Sequence, residues 1–250
     1  DQFIPLSRLN PLPIQLCMTW MARISLFEPL DYVALAGIFA AWFGLTWVIE
    51  HANPKRPSVS HLMAQYRREW MAQMITRQPR VFDAQMISTL RQSTAFFAST
   101  SVIALGGTLA LLGNSERLST VVADLALTDL PTVAWEFKML LPLVFLTDGF
   151  LKFVWSNRLF GYCSVLMAAV PNEPDDPRAP MLANKAAEIN ITAARSFNRG
   201  LRSLYFALAS LGWVIGPILL GFTVVLTVVI VWRREFTSQS RRILLENDAL

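Results

Sequence analysis

Two charged residues of opposite sign, Asp148 and Lys152, lie four positions apart within a long apolar stretch of this 250-residue chain. On a helix this spacing places both side chains on one face. Ionisable groups at membrane depth are costly, and they face a bundle interior, a cavity or each other. The pair could form an ion or proton path. We prefer an internal salt bridge, or a lysine whose ammonium reaches the membrane surface, because transport usually needs several such groups on several helices.

Other reactive residues do not form a recognisable site. The sequence contains no GxSxG, no phosphate-binding loop, no HExxH and no glycine-rich nucleotide fingerprint. Cys17 and Cys163 form no CxxC pair, and His51 and His61 lack the spacing of a helical metal pair. We therefore predict no catalytic residue, no metal and no cofactor, and we expect a protein that is not an enzyme.

Four apolar stretches set the class of the protein. A helix needs about 20 mostly apolar residues to cross the hydrocarbon core, and its backbone groups must bond within the segment. The sequence therefore predicts an all-α integral membrane protein, a four-transmembrane-helix bundle. Its parts are an N-terminal extension (1–30), a membrane domain (31–242) and a C-terminal tail (243–250), with spans at about 32–49, 94–113, 139–154 (continuing as a helix to 170) and 203–232.

Small and helix-breaking residues cluster near the middle of the last span, which is longer than a bilayer requires. They are Gly212, Gly216, Pro217 and Gly221. Such a cluster predicts a kink or tilt, and it also permits an unwound break like those of transporters. We prefer the kink, because the sequence shows no inverted repeat.

A short amphipathic helix is predicted after the first span. Tyr66, Trp70 and Met74 recur every fourth residue, and Arg67 and Arg68 lie beside them. Aromatic and basic residues in this pattern are typical of a helix at the level of the lipid headgroups. We predict that Tyr66, Trp70 and Met74 face the membrane or the projecting end of the third helix, with Arg67 and Arg68 near anionic lipid phosphates, and that the five residues contact lipid or a protein partner. A second amphipathic helix, 182–197, is expected to lead into the last span.

Charge is distributed unequally between the loops. Segments 50–92 and 155–202 are rich in arginine and lysine, whereas segment 114–138 is mainly acidic. Positive loops stay in the cytoplasm, so the two basic segments are predicted to be cytoplasmic and both termini external. The basic tail that starts at Arg233 disagrees with this orientation. Because the basic residues flank apolar runs, they fit membrane topology better than a nucleic-acid-binding face, and we predict that the protein does not bind nucleic acid. We expect a multi-pass protein of the cell membrane, the inner membrane of a bacterium.

Several short blocks resemble a known family. They are Arg67–Met74, Asp83–Gln85, Phe96–Thr100, Trp135–Lys138, Phe153–Ser156, Phe197–Arg202, Tyr205–Ala209 and Arg233–Phe236. In this order they resemble domain of unknown function family 599, over roughly Phe27 to Arg242. The resemblance implies a four-span helical membrane protein and carries no established activity, substrate or catalytic residue.

Two functional classes follow from these observations. The first is a non-catalytic accessory or scaffolding subunit of a larger inner-membrane complex, with a membrane protein or a second copy as partner. The second is a small ion or solute channel or transporter that uses Asp148 and Lys152. A polar, water-accessible cavity around Asp148 would favour transport, and a dry packed bundle would favour scaffolding.

Overall fold

The computed structural model describes residues 27–53, 55–114 and 132–246, and every regular element in these ranges is a helix. The all-helical class predicted from the sequence is thereby confirmed. Most of the N-terminal extension, most of the acidic loop and residues 247–250 lie outside the described residues. The helices are α1 (Pro29–Glu50), α2 (Val59–Met74), α3 (Val81–Gly113), α4 (Thr132–Ala168), α5 (Arg178–Ser210), α6 (Gly212–Ile215), α7 (Pro217–Phe236) and α8 (Gln239–Glu246).

Helices α1, α4, α5 and α7 surround a first hydrophobic core. Phe145 of α4 is fully buried at its centre, and its ring lies 5.3 Å from that of Trp42 and 6.1 Å from that of Phe206. Aromatic rings at these separations attract each other in addition to burying apolar surface. Aliphatic side chains fill the remaining space, among them Ile38, Leu45, Ile49, Leu141, Leu146, Leu220, Val224 and Val231.

A second hydrophobic core lies farther along the bundle, between α2, α4, α5 and the start of α3. Met71 and Met74 of α2 and Ile87 of α3 meet Phe160 and Met167 of α4 there. Helix α5 contributes mainly alanines, which allow its neighbours to approach closely: Ala179, Ala183, Ala186, Ala187 and Ala193. The apolar stripe of the amphipathic helix α2 is therefore covered by protein.

Helices α4 and α5 take part in both cores and pack antiparallel along most of their length. Gly149 and Gly200 allow the two helices to approach closely. A β-carbon at Gly149 would lie 3.4 Å from the carbonyl oxygen of Gly200, and one at Gly200 would lie 2.7 Å from the ring of Phe153. Phe153 is fully buried and stacks on Phe97 of α3 at 5.4 Å. The ring is packed on its other side as well, so a larger side chain at Gly200 would force it to shift.

The predicted last span, 203–232, is not one helix. Helix α5 ends at Ser210, and α7 begins at Pro217 and returns alongside α5. The Thr223 hydroxyl donates to the carbonyl of Ala209 at 2.8 Å, which joins the two helices. Proline lacks an N–H and disfavours a helical conformation in the residue before it, and Gly216 is extended. A chain reversal thus replaces the kink that the sequence predicted.

This reversal changes the position of the tail. Arg241 of α8 donates from Nε to the carbonyl oxygen of Pro57 at 2.9 Å, so the tail lies at the end of the bundle where α1 finishes. The tail and loop 50–92 therefore lie at the same end of the bundle, whereas a single helix over residues 203–232 would place them at opposite ends.

Three stretches of the described chain are long and apolar enough to cross a membrane. They are Pro29–Glu50, Val81–Gly113 and Pro217–Glu246. The first two contain the first and second predicted spans, and the third begins inside the last one. The third predicted span, 139–154, is helical and lies within α4, but α4 is not among these three stretches. The described chain is therefore all-helical and contains the long apolar helices of a membrane protein.

We predict that Gly200→Ala destabilises the protein. The new methyl group would press on the buried ring of Phe153, and overpacking of this kind costs about 1–3 kcal/mol. The melting temperature in detergent, followed by tryptophan fluorescence, should fall. Gly161→Ala in α4 is the matched control, because nothing lies within 4 Å of its added methyl group. That variant should melt at the same temperature or higher, since alanine favours a helix more than glycine does. Equal losses in both variants would contradict the close contact.

Candidate functional site

Asp148 and Lys152 form an ion pair, which is the internal salt bridge that we preferred over an ion or proton path. The Lys152 ammonium lies 2.5 Å from Oδ2 of Asp148, and the two side chains are 25% and 28% exposed. The Ser203 hydroxyl of α5 donates to the same carboxylate oxygen. The ammonium also lies 4.9 Å from the centre of the Trp42 ring, within range of a cation–π interaction. Each charge therefore has a partner inside the bundle.

Sequence reasoning found this pair but missed Ser203 and Trp42. Both come from other helices, α5 and α1, so spacing along the chain carries no signal for them. Neither charged residue belongs to the lining of the cavity described below. This arrangement is a local charge cluster that joins α4 to α5.

Trp70 and Met74 pack on the second core, to which the projecting end of α4 contributes, as one of the two alternatives predicted. Met74 is fully buried in the second core. Trp70 packs against that core and donates from Nε1 to Asp83 of α3 at 2.7 Å. Tyr66 is partly exposed. Helix α2 is amphipathic as predicted, and its apolar side packs against the second core of the protein.

Arg67 and Arg68 turn towards α5. Arg67 donates to the side-chain oxygen of Asn190, and Nε of Arg68 lies 2.7 Å from Glu188. Burial lowers the pKa of the Arg67 guanidinium from its ordinary value, although arginine stays charged at neutral pH. Arg68 and Glu188 are each half exposed, so their pair contributes little stability. The polar partners of both arginines in the protein are side chains of α5.

The glycine cluster of the predicted last span is divided by the chain reversal. A β-carbon at Gly212 would lie 2.8 Å from Oγ1 of Thr223 and 3.1 Å from the carbonyl oxygen of Leu219, so this glycine permits the close return of α7. Pro217 begins α7, where its missing N–H is no loss. Gly216 and Gly221 have open space at the β-carbon position.

A polar cavity of about 290 Å³ opens where α1 ends and α2 begins. We call it the basic cavity, because four arginines from three helices line it against two glutamates, Glu50 and Glu235. If the four arginines and two glutamates are charged, the lining carries a formal charge of +2. The arginines are Arg67, Arg195, Arg202 and Arg234.

Glu50, in the last turn of α1, anchors one wall of the basic cavity. It accepts from Nε of Arg199 at 2.7 Å and from Nη2 of Arg202 at 2.9 Å, both on α5. Arg202 is only 3% exposed, and its Nε also donates to the hydroxyl of Thr46 at 3.3 Å. A buried charge needs such partners, because losing its hydration is costly.

Glu235, near the end of α7, anchors the other wall. Its Oε2 accepts from the backbone N–H of Ser60 at 3.2 Å and from the Ser60 hydroxyl at 3.0 Å. Ser60 lies in the first turn of α2, so the carboxylate satisfies a free N–H and lies at the positive end of the helix dipole. Asn198 of α5 donates to the same hydroxyl at 3.4 Å.

Sequence reasoning missed the basic cavity because its charges come from four distant segments. Glu50, Arg202 and Glu235 are each ordinary at the end of an apolar run. The one available signal was the basic tail from Arg233, which disagreed with the four-span orientation. The basic tail disagreed with the four-span orientation because residues 203–232 form two helices and not one.

The described residues offer little metal or thiol chemistry. Within these ranges, no three His, Cys, Asp or Glu side chains form a group that could hold a metal ion. Cys163 lies in the second core, where burial raises the pKa of its thiol. A protonated buried thiol is a poor nucleophile, so Cys163 has the properties of a packing residue. Cys17 lies outside the described residues.

We predict that Lys152→Met alone lowers the folded yield and the melting temperature. It leaves the Asp148 carboxylate without its ammonium, and breaking a buried pair costs at most about 3–5 kcal/mol. Asp148→Leu combined with Lys152→Met should restore both quantities, because no unpaired charge remains. Size-exclusion profiles and thermal unfolding in detergent measure the effect. If the double variant folds but loses an ion- or pH-dependent flux in vesicles, the pair belongs to a transport path instead.

Comparison with known proteins places the chain in a family. No curated protein and no solved structure matches it. A family model described as a protein of unknown function, DUF599, matches residues 33–240, which is most of the chain and includes both cores and the basic cavity. The chain therefore belongs to the DUF599 family, as its short sequence blocks indicated.

Proposed function

We propose that α1, α3, α4, α5 and α7 each cross the membrane, which gives five crossings. The two ends of the first core support this arrangement. At one end Trp213 of α6 donates to Asp31 at the start of α1 with an N–O distance of 2.6 Å, and at the other end Arg202 of α5 pairs with Glu50. The side chains of Arg202 and Trp213 therefore reach opposite ends of α1, and the chain between them runs antiparallel to that helix.

We infer that the second core and the basic cavity lie in the cytoplasm of a bacterial cell, beneath its inner membrane. Loops 50–92 and 155–202 carry the excess of basic residues, and positive charge stays inside. With five crossings the tail from Arg233 comes to the same side. The charge disagreement that arises with four spans then disappears.

Labelling of introduced cysteines tests this orientation. In a background of Cys17→Ser and Cys163→Ala, we expect Lys55→Cys and Ser240→Cys to react with an impermeant maleimide only in inside-out vesicles. Asn114→Cys, at the end of α3, should react only in right-side-out vesicles, and all three positions are exposed. If residues 114 and 240 are labelled from the same side, five crossings are wrong.

We propose that the protein is a non-catalytic accessory or scaffolding subunit of a larger membrane complex. The observation that carries this proposal is the open surface of α3. This helix packs mainly against α4, and only 6% of its most apolar stretch is buried. Phe96 and Ile103 are 64% and 75% exposed. A helix of another membrane protein would cover this face, which we call the α3 face.

Paired Asp148 and Lys152 favour this proposal over transport. Their charges are satisfied by each other and by Ser203. The observation in favour of a channel or transporter is the cluster of three polar side chains, Asp148, Lys152 and Ser203, on two helices. The flux measurement on the double variant of Asp148 and Lys152 decides between the two functions.

Mutation of the α3 face tests the scaffolding proposal. We expect a tagged protein, extracted gently from its native membrane, to retain a membrane-protein partner, and Phe96→Ala with Ile103→Ala to reduce its recovery several-fold. Ile218→Ala with Phe222→Ala is the matched control, because these residues of α7 are 78% and 65% exposed. The control should keep the partner. Recovery of a second copy alone would indicate a homo-oligomer, and equal recovery in both variants would contradict docking on the α3 face.

A further inference from the structure

We propose that the basic cavity binds a phosphate-bearing anion. The ligand is either the headgroup of an anionic lipid or a soluble phosphate compound, since both present the same oxygens to the protein. The inference rests on the charges of the described residues around the cavity and on its position, and it is independent of the α3 face.

Arginines outnumber carboxylates in the lining, and their existing bonds do not use all of their donors. Arg202 is committed to Glu50 and Thr46. Arg67 uses Nη1 for Asn190. Arg234 uses Nη1 for the hydroxyl of Tyr205 at 2.8 Å, and its Nη2 lies 4.0 Å from Glu235 in a long ion pair. A guanidinium carries five N–H donors, so Arg67 and Arg234 retain free ones.

Arg195 is the lining arginine with the most donors to offer. It is exposed, and its guanidinium makes no hydrogen bond to any residue that the structure describes. Arg195 lies on α5, one turn before Arg199 and on the same helix as Arg202. Together with Arg67 and Arg234 it places three guanidinium groups with unused donors around one space of about 290 Å³.

Phosphate fits this arrangement better than a carboxylate ligand does. It carries more oxygens and more charge, and each pair of its oxygens can accept two parallel N–H bonds from one planar guanidinium. Several arginines converging on one space are therefore most fully used by a phosphate.

The ligand would bind on the arginine side of the cavity and not at the start of α2. The first turn of that helix already receives the carboxylate of Glu235 through Ser60. A phosphate at that position would have to displace the carboxylate of Glu235. Arg195 and Arg234 line another part of the cavity, and the Nη2 of Arg234 lies 4.0 Å from Glu235, beyond hydrogen-bond distance, so both arginines retain donors for a ligand.

The position of the cavity suits a lipid as one source of the anion. It is lined by the last turns of α1 and α7, the two helices that end there after the first core. Under five crossings this is the level of the cytoplasmic headgroups, where anionic lipids are enriched.

Binding measurements with two probes test the proposal. The purified full chain is titrated with inorganic phosphate in neutral detergent, and its thermal stability is compared in nanodiscs of phosphatidylcholine with and without phosphatidic acid. We expect at least one probe to stabilise the protein. Arg195→Gln with Arg234→Gln should weaken its binding about tenfold or more, because charge-assisted hydrogen bonds are lost.

A charge-matched control separates a built site from general attraction. Arg158→Gln with Lys185→Gln removes the same charge from exposed positions outside the lining. It should bind like the unmodified protein. Arg195→Gln alone serves if the double variant folds poorly, since Arg195 makes no hydrogen bond to a described residue.

The two probes distinguish a lipid headgroup from a soluble anion. A response to phosphatidic acid alone assigns the site to a lipid headgroup, and a response to inorganic phosphate that phosphatidic acid does not exceed assigns it to a soluble anion. If neither probe stabilises the protein, or if both paired variants lose binding equally, the proposal is overturned.

Discussion

The close packing of α4 against α5 is the contact on which the rest of the structure depends. These two helices are the ones that contribute buried residues to both hydrophobic cores. Gly149 and Gly200 allow the two backbones to approach, and the buried ring of Phe153 fills the space beside them. Helices α1 and α7 pack on one half of this pair, and α2 packs on the other half. If the spacing between α4 and α5 changed, the shape of both cores would change with it.

Polar pairs mark the two ends of the first core. At one end Asp31 receives a hydrogen bond from Trp213, and at the other Glu50 receives hydrogen bonds from Arg202. Between them most buried residues are apolar. Among the buried polar side chains, Ser101 and Ser210 bond within their own helices, Ser203 donates to Asp148 of α4, and Lys138 is a buried cation of α4. This distribution matches the physics of a bilayer, in which ionisable groups are tolerated at the boundary or in pairs. The same polar pairs also hold the helices in register, because each one joins two different helices.

The sequence was sufficient for the class of the protein and for single helices, but not for the way the last helices pack. Apolar runs are a local property, so the first two spans and the helix at 139–154 were found. The i,i+4 spacing of Asp148 and Lys152 is equally local, and it correctly predicted a pair. The reversal at Gly216–Pro217 was interpreted as a kink, because an apolar run looks the same whether the chain continues or turns back. The basic cavity depends on segments more than 100 positions apart, and a single sequence carries no signal for such contacts.

The basic cavity follows from the way the two cores are stacked. Helices α4 and α5 continue from the first core into the second, but α1 and α7 end and α2 begins between them. Helix ends leave unpaired backbone groups, and they cannot pack as densely as continuous helices. Polar side chains are needed there, as Glu235 shows by bonding the first turn of α2. Arginines from α5 and α7 reach the same region and outnumber the carboxylates, so a junction required by the fold acquires a net positive charge. The position of the proposed anion site is therefore a consequence of the fold itself, and it needs no separate structural element.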